Sequence, residues 1–267
     1  MALAARADTW VLEAAADARI LRIGTVEFYQ DANYRNDILS VYHVGDNEQR
    51  SLLKFDLSPV VLPAGHRLLS ARLRLVASTA FGGNPTGQPM EVWRVTQPWT
   101  ESEVTWRHAS PGSPWNPAGG AFAGIGESPF AVNTSQPGSN TPVEWHVTEL
   151  VEQWLDGIHP NHGLLLKSPA PNNLTFVQRE SVPQDRPQLL LESAPDTPRL
   201  LVHLDAATGD VVLSWRTSGP VVLQQCFPLH PEAAWTVVAA PVEAVGLQSV
   251  VRIPSAGDAR LFRLQAP

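Results

Sequence analysis

The sequence predicts an all-β protein of two sandwich domains with a single short helix. Three observations carry that expectation. Apolar and polar residues alternate over most of the first 195 residues, the period of a half-buried strand. The segments between these runs are rich in Gly, Pro, Ser and Asn, which supply the positive φ, fixed φ and side-chain turns that reverse a chain. Helical spacing is convincing in one stretch only: Val147, Leu150, Val151, Trp154 and Leu155.

Taken in order, Leu53, Phe55 and Leu57 alternate with Leu52, Lys54 and Asp56, and Ala71, Leu73 and Leu75 with Arg72 and Arg74. Each run therefore offers one face to a core and the other to water. The loops at 78–89 (STAFGGNPTGQP) and 108–120 (HASPGSPWNPAGG) are long for hairpin connections, and loops of this kind carry function or move freely. Between them, PWTESEVTW has the Thr100 to Glu103 spacing of a capping box, followed by alternating Val104 and Trp106. Thr148 can cap the helix, Glu149 and Glu152 suit its positive first turn, and Gly157 with Pro160 ends it. A Pro and Asp cluster at 193–200 (SAPDTPRL) marks a boundary between a domain at 1–195 and a second at 196–267. The second reads as roughly five to seven short strands, a small antiparallel sandwich with Trp215 and Trp235 in its core.

Composition excludes several functions. Asp and Glu total 26 against 19 Lys and Arg, a net charge of −7, so the chain lacks the cationic excess of a generic nucleic-acid or membrane-surface binder. No apolar run is long enough for membrane insertion. A single cysteine, Cys226, rules out an intrachain disulfide and a cysteine-based zinc site and reads as a small buried side chain. No GxSxG elbow, Walker A loop, GxGxxG fingerprint, HExxH or EF-hand loop is present, which points away from the common hydrolase and nucleotide-binding classes.

The residues that could carry chemistry each have a second, plainer reading. Lys54, Arg72, Arg74 and Arg94, with Lys167 and Arg179, occupy alternating positions. They are either a row of cations that binds carboxylates or ordinary residues on the wet side of a sheet. Trp115 and Phe81 are loop aromatics able to stack on a sugar ring or to anchor their loops. Asp31, Asn33 and Asp37 offer hard oxygen ligands at spacing that suits a structural calcium ion, with Asp46 and Glu48 nearby, or else form Asx turns. His159 and His162 lie in a turn, as polar loop residues or as two metal ligands. Tyr29, Tyr34, Arg35, Tyr42 and His43 are packing residues or, less simply, the base and cation of a lyase.

Six pieces in a fixed order carry a resemblance: RSLLKFDLS from Arg50, SARLRLVAS from Ser70, VWRVTQPWTESEVTW from Val92, WHVTELVEQWLDG from Trp145, NHGLLLKS from Asn161 and FVQRES from Phe176. Over residues 8–193 the chain resembles the DNRLRE domain, also described as a disaggregatase-related repeat. That resemblance implies a β-sandwich of jelly-roll type, borne by secreted polysaccharide-degrading or surface proteins, and some members belong to a carbohydrate-binding module family that recognises alginate. No catalytic domain accompanies it here. The tail resembles immunoglobulin-like or fibronectin type III-like modules through LSW at 213–215, VLQQ at 222–225, Trp235 and LFRL at 261–264. The implied function is non-catalytic binding of acidic, uronate-containing polysaccharide by a secreted or surface protein, with Met1 following a removed signal. The alternative is a structural or adhesive module that assembles with other protein chains or with itself.

Overall fold

The computed structural model describes residues 7–78, 87–126, 128–196, 199–216, 220–227, 234–245, 248–255 and 259–265; Phe81 lies outside them. The chain opens with β1 (Thr9–Arg22), a one-turn helix α1 (Glu27–Asp31), β2 (Leu39–Val44), β3 (Asn47–Phe55), β4 (His66–Ser78) and β5 (Met90–Val95). Four short strands follow, β6 (His108–Ser110), β7 (Ser113–Pro114), β8 (Phe122–Ala123) and β9 (Ala131–Asn133). Next come β10 (Pro142–His146), α2 (Thr148–Leu155), β11 (Leu164–Lys167), β12 (Asn172–Phe176), a 3-10 turn at Pro183–Asp185 and β13 (Gln188–Pro195). The rest holds β14 (Leu201–Leu204), β15 (Asp210–Trp215), β16 (Val222–Cys226), β17 (Thr236–Val237), β18 (Glu243–Val245), β19 (Gln248–Pro254) and β20 (Leu261–Gln265). The fold is all-β, as predicted. The extra helical turn α1 buries no side chain, so it leaves no apolar stripe to read in the sequence.

The chain divides into two compact units. In the larger, hydrogen-bonded neighbours run β1-β13-β4-β12-β2-β3, and β1 also pairs with β3, so the circuit closes. β1 achieves this by changing partners. Thr9 to Glu13 pair with β13, whereas Ala14 to Arg22 pair with β3, with a bulge between Ala14 and Ala16 that re-aims the strand. β11, β5 and β8 continue outward from β3.

Leu39, Val41, Leu73, Leu75 and Phe176 are fully buried, and Trp145 packs edge-on against Phe176 at 5.7 Å while donating its Nε1–H to the Met90 carbonyl at 2.9 Å. The predicted stripe of α2 is buried through Leu150, Val151 and Trp154. Its start differs from the expected cap: Thr148 Oγ1 accepts from the Ala71 amide at 3.0 Å, tying the helix to β4 instead of capping itself. Gly157, at φ 69°, ends the helix and donates to the Trp154 carbonyl.

β3 departs from the one-wet-face reading. Leu52 and Leu53 are both fully buried, because residues 96–123 fold over the strand as a further layer. Trp99, Val104, Trp106, Ala109 and Trp115 pack there against Ala18, Ile20, Leu52 and Leu165. Gly163 leads into β11 at φ 90°, where a Cβ would sit 2.3 Å from the Leu53 carbonyl oxygen. Backbone strain and a clash against a fixed strand then act together. Gly163→Ala is expected to lower stability by about 2–3 kcal/mol, read from the denaturant midpoint at unchanged m.

The smaller unit comprises Ala7, residues 62–67 and the described residues from 194 onward. The Asp196 amide donates to the Gly65 carbonyl at 2.7 Å, so a segment far back in sequence belongs with the tail. Two sheets, β14-β15-β19-β18 and β17-β16-β20, enclose Leu213, Trp215, Leu223, Val251 and Ile253. Trp235 is not in that core. It is half-buried, with the Arg263 guanidinium 4.3 Å over its ring. Cys226 is buried as a free thiol.

Candidate functional site

The register of β1, β3, β11 and β5 gathers cations and aromatic rings at one place. Arg22 lies opposite Glu48, Trp93 opposite Leu165, and Lys167 opposite Glu91; directly opposed residues share a sheet face. Glu48 is buried and accepts from Arg50 Nε at 2.7 Å, with Arg22 at 3.5 Å on its other oxygen. Arg50 also donates to the Gly119 carbonyl at 2.6 Å. Gly119 is required there: at φ 96°, a Cβ would meet the Trp106 ring at 2.7 Å. The guanidiniums of Arg50 and Arg22 stand 4.8 and 5.4 Å from the Trp106 centroid.

Lys167 completes the cluster. Its Nζ stands 5.1 Å from the Phe122 centroid and 5.5 Å from that of Trp93, two half-buried rings that meet edge-on at 5.2 Å. Trp93 is itself fixed by donating to Glu91 at 2.9 Å. Burial, and then the Arg50 charge, hold the Lys167 ammonium below its ordinary pKa, with Glu91 and Glu48 opposing the shift. Three cations, Arg22, Arg50 and Lys167, thus face two carboxylates, Glu48 and Glu91. Among the described residues, the Lys167 ammonium makes ring contacts but neither an ion pair nor a hydrogen bond.

A separate cleft of about 400 Å³ is lined by Arg19, Ser40, Tyr42, Gln49, Asn173 and Thr175. Tyr42 lies opposite both Asn173 and Gln49, and Ser40 opposite Thr175, so the pleat sets these side chains on one face. Arg19 pairs with Asp37, donates to Gln49 at 3.3 Å and covers the Tyr34 ring at 5.2 Å. Two tyrosines of the suspected base-and-cation cluster therefore pack at or beside a polar cleft, while His43 turns a ring nitrogen to the Ser168 carbonyl.

The cations expected in one row are dispersed. β12 and β2 intervene between β4 and β3, so Arg72 and Arg74 stand away from Lys54 and Arg94. Arg72 pairs with Glu144 at 2.9 Å and Arg74 donates to Gln188 at 2.9 Å. Arg72→Ala and Arg74→Ala are each expected to change stability by only about 0–1 kcal/mol, measured by chemical denaturation. Lys54 and Arg94 flank the His159–His162 turn. His162 is held below its ordinary pKa first by burial, then by both cations, and His159 by burial and Arg94. A turn beside two cations is a poor metal site.

Trp115 is 4% exposed and donates to the Thr105 carbonyl at 3.0 Å; it anchors its loop and has no open face for a sugar. The expected calcium ligands do not converge. Asp31 pairs with Arg107 at 3.1 Å, Asp37 with Arg19, and the Asn33 amide donates to the carbonyls of Glu101 and Val104 at 2.8 Å each. Each is occupied in holding a different neighbour. Arg179 is a strut rather than a surface ligand: its Nε meets Glu180 at 3.0 Å and Glu101 at 3.2 Å, and Nη1 donates to the Ala15 carbonyl at 2.9 Å.

That strut borders a group of acids. Carboxylate oxygens of Asp17, Glu101 and Glu180 lie within 4.8 Å of one another. Asp17 is 0% exposed. Its Oδ2 accepts from the Arg179 amide at 2.8 Å, and its own amide donates to Glu101 Oε1 at 2.9 Å, but Oδ1 is buried without a partner. Burial pushes the Asp17 carboxyl up to about 7 despite the Arg179 amide, with the charges of Glu180 and Glu101 adding to the rise.

Among the described residues, no helix is long and apolar enough to cross a membrane. No curated protein matches the chain. A β-glucuronidase of Faecalibacterium prausnitzii is similar at 13% identity over 92% of this chain and 41% of that one, with a TM-score of 0.23, too loose a superposition to carry an argument. The profile of carbohydrate-binding module family 96 matches residues 1–193, which hold the cation–aromatic cluster, the polar cleft and the acidic group. The chain therefore belongs to carbohydrate-binding module family 96.

Proposed function

We propose that the protein is a non-catalytic, secreted or surface-borne binder of acidic, uronate-containing polysaccharide, alginate-like in charge, and that the glycan lies across Lys167, Arg50, Arg22, Trp93 and Phe122. One observation carries this reading: the Lys167 ammonium is held half-buried against two rings, within the field of Glu91 and Glu48 but in an ion pair with neither. Desolvation weakens the charged form, and an incoming carboxylate restores it in a setting where ion pairing is screened less than in water. The exposed parts of Trp93 and Phe122 offer apolar surface to the CH side of a pyranose. Together they ask for a sugar that is both flat-faced and anionic. On a panel of immobilised glycans, the full chain is expected to retain uronate polymers and Trp93→Ala to lose them. Equal retention of neutral polymers by both proteins would refute the reading.

A structural or adhesive role draws on a different feature. β14 ends its sheet, and Leu201, Val202 and Leu204 are all more than half exposed. An apolar strand at a sheet edge is a template for pairing with another chain. If that pairing is used, the protein sediments as a concentration-dependent oligomer and Val202→Lys returns it to monomer; a monomer at every concentration removes this role.

A further inference from the structure

Three carboxylates from distant parts of the sequence meet at one point: Asp17 from β1, Glu101 from the PWTESEVTW turn and Glu180 from FVQRES. None of these three acids is used by the glycan reading. Arg179 supplies one positive charge, so the group retains an excess of two negative charges when all three acids are ionised. An acid cluster alone is common on a surface, but Asp17 is fully buried and its Oδ1 has no hydrogen-bond partner. A buried carboxylate oxygen without a donor is expensive and calls for an ion, a water or a proton.

We infer that Asp17, Glu101 and Glu180 form a binding site for a divalent cation of the calcium type. Charge selects the valence, since a dication brings the three acids and one guanidinium to neutrality. The donors select the class: all are carboxylate oxygens, and their mutual spacing within 4.8 Å is what oxygens coordinated at about 2.3–2.6 Å around one ion adopt. Calcium tolerates the irregular geometry of three ligands from three segments, with water completing its shell, whereas magnesium demands a near-ideal octahedron. The ion draws Glu101 and Glu180 from the Arg179 Nε, while Arg179 remains anchored on the Ala15 carbonyl and through its own amide on Asp17. Its effect is to fasten β1, the turn at 100–104 and the turn at 178–181 together. The turn at 100–104 belongs to the layer that carries Trp106, against which Arg22 and Arg50 stack, so the ion steadies one wall of the cation–aromatic cluster without touching it.

The test is a titration of CaCl2 into chelator-treated full chain, followed by calorimetry and by the melting midpoint. Saturable binding with one ion per chain and a rise in midpoint that EDTA reverses are expected, with a dissociation constant on the order of 10⁻⁴–10⁻³ M, the range of extracellular modules. Magnesium at the same concentration should give neither. Glu180→Gln, at an exposed position, should fold and lose at least tenfold in affinity; Asp17→Asn should abolish binding, and Asp31→Asn should leave it unchanged. Absence of heat and of any midpoint shift up to about 10 mM calcium, or binding that survives Glu180→Gln and disappears in Asp31→Asn, would overturn the assignment. The readout needs no glycan, so it stands or falls apart from the polysaccharide reading.

Discussion

Trp145→Ala is expected to cost about 3–5 kcal/mol of stability, the largest single loss in the first unit. The indole is fully buried between β10, the start of β5 and Phe176. Truncation removes its transfer free energy, leaves a cavity that closed strand pairing prevents from collapsing, and takes a donor from the Met90 carbonyl. Trp145→Phe refills much of that space and isolates the hydrogen bond, at about 1 kcal/mol for the bond itself. Chemical denaturation of the three proteins measures both quantities. An Ala variant within 1 kcal/mol of the parent would mean that the core relaxes around the hole.

Lys167→Glu should lower affinity for uronate oligomers by at least tenfold, about 1.4 kcal/mol or more. The substitution replaces the one cation of the cluster that, among the described residues, has no carboxylate or carbonyl partner with a charge that repels the ligand and joins Glu91 and Glu48 in a single negative field. Lys167→Met separates charge from packing, because it keeps an unbranched chain against Trp93 and Phe122. Its affinity should fall between parent and Glu, with the melting midpoint close to the parent's. Loss of midpoint in step with affinity would assign Lys167 to the fold instead.

Much of the fold is legible in the sequence because strands and helices are local. The alternation in β4 and the stripe of α2 are set by residues a few positions apart, and both appear where the pattern places them. Sheet order is not local. Lys54, Arg72, Arg74 and Arg94 alternate correctly, yet two intervening strands separate β4 from β3, which only the closed circuit reveals. Residues 96–123 show only the brief Val104–Trp106 alternation, so little in the sequence marks them as a layer over β3, and Trp115 reads as a sugar-stacking ring or as a loop anchor until its burial is known. The same layer hides the cluster: Arg50 sits inside a strand motif and acquires meaning only when the loop brings Gly119 and Trp106 to it. Acidic ligands fail for a similar reason. Asp31, Asn33 and Asp37 are neighbours in sequence and diverge in space, whereas Asp17, Glu101 and Glu180 are remote in sequence and converge.

The most direct test of the central claim is calorimetric titration of the full chain with a uronate oligomer and with a neutral oligomer of equal length, at about 0.05 and 0.5 M salt, where the screening length falls severalfold. The cation–aromatic account predicts binding of the uronate at low salt, marked weakening at high salt and no measurable heat from the neutral sugar. Equal affinities for the two sugars, unaffected by salt, would contradict it and move recognition to the uncharged-hydroxyl chemistry of the Arg19, Tyr42 and Asn173 cleft.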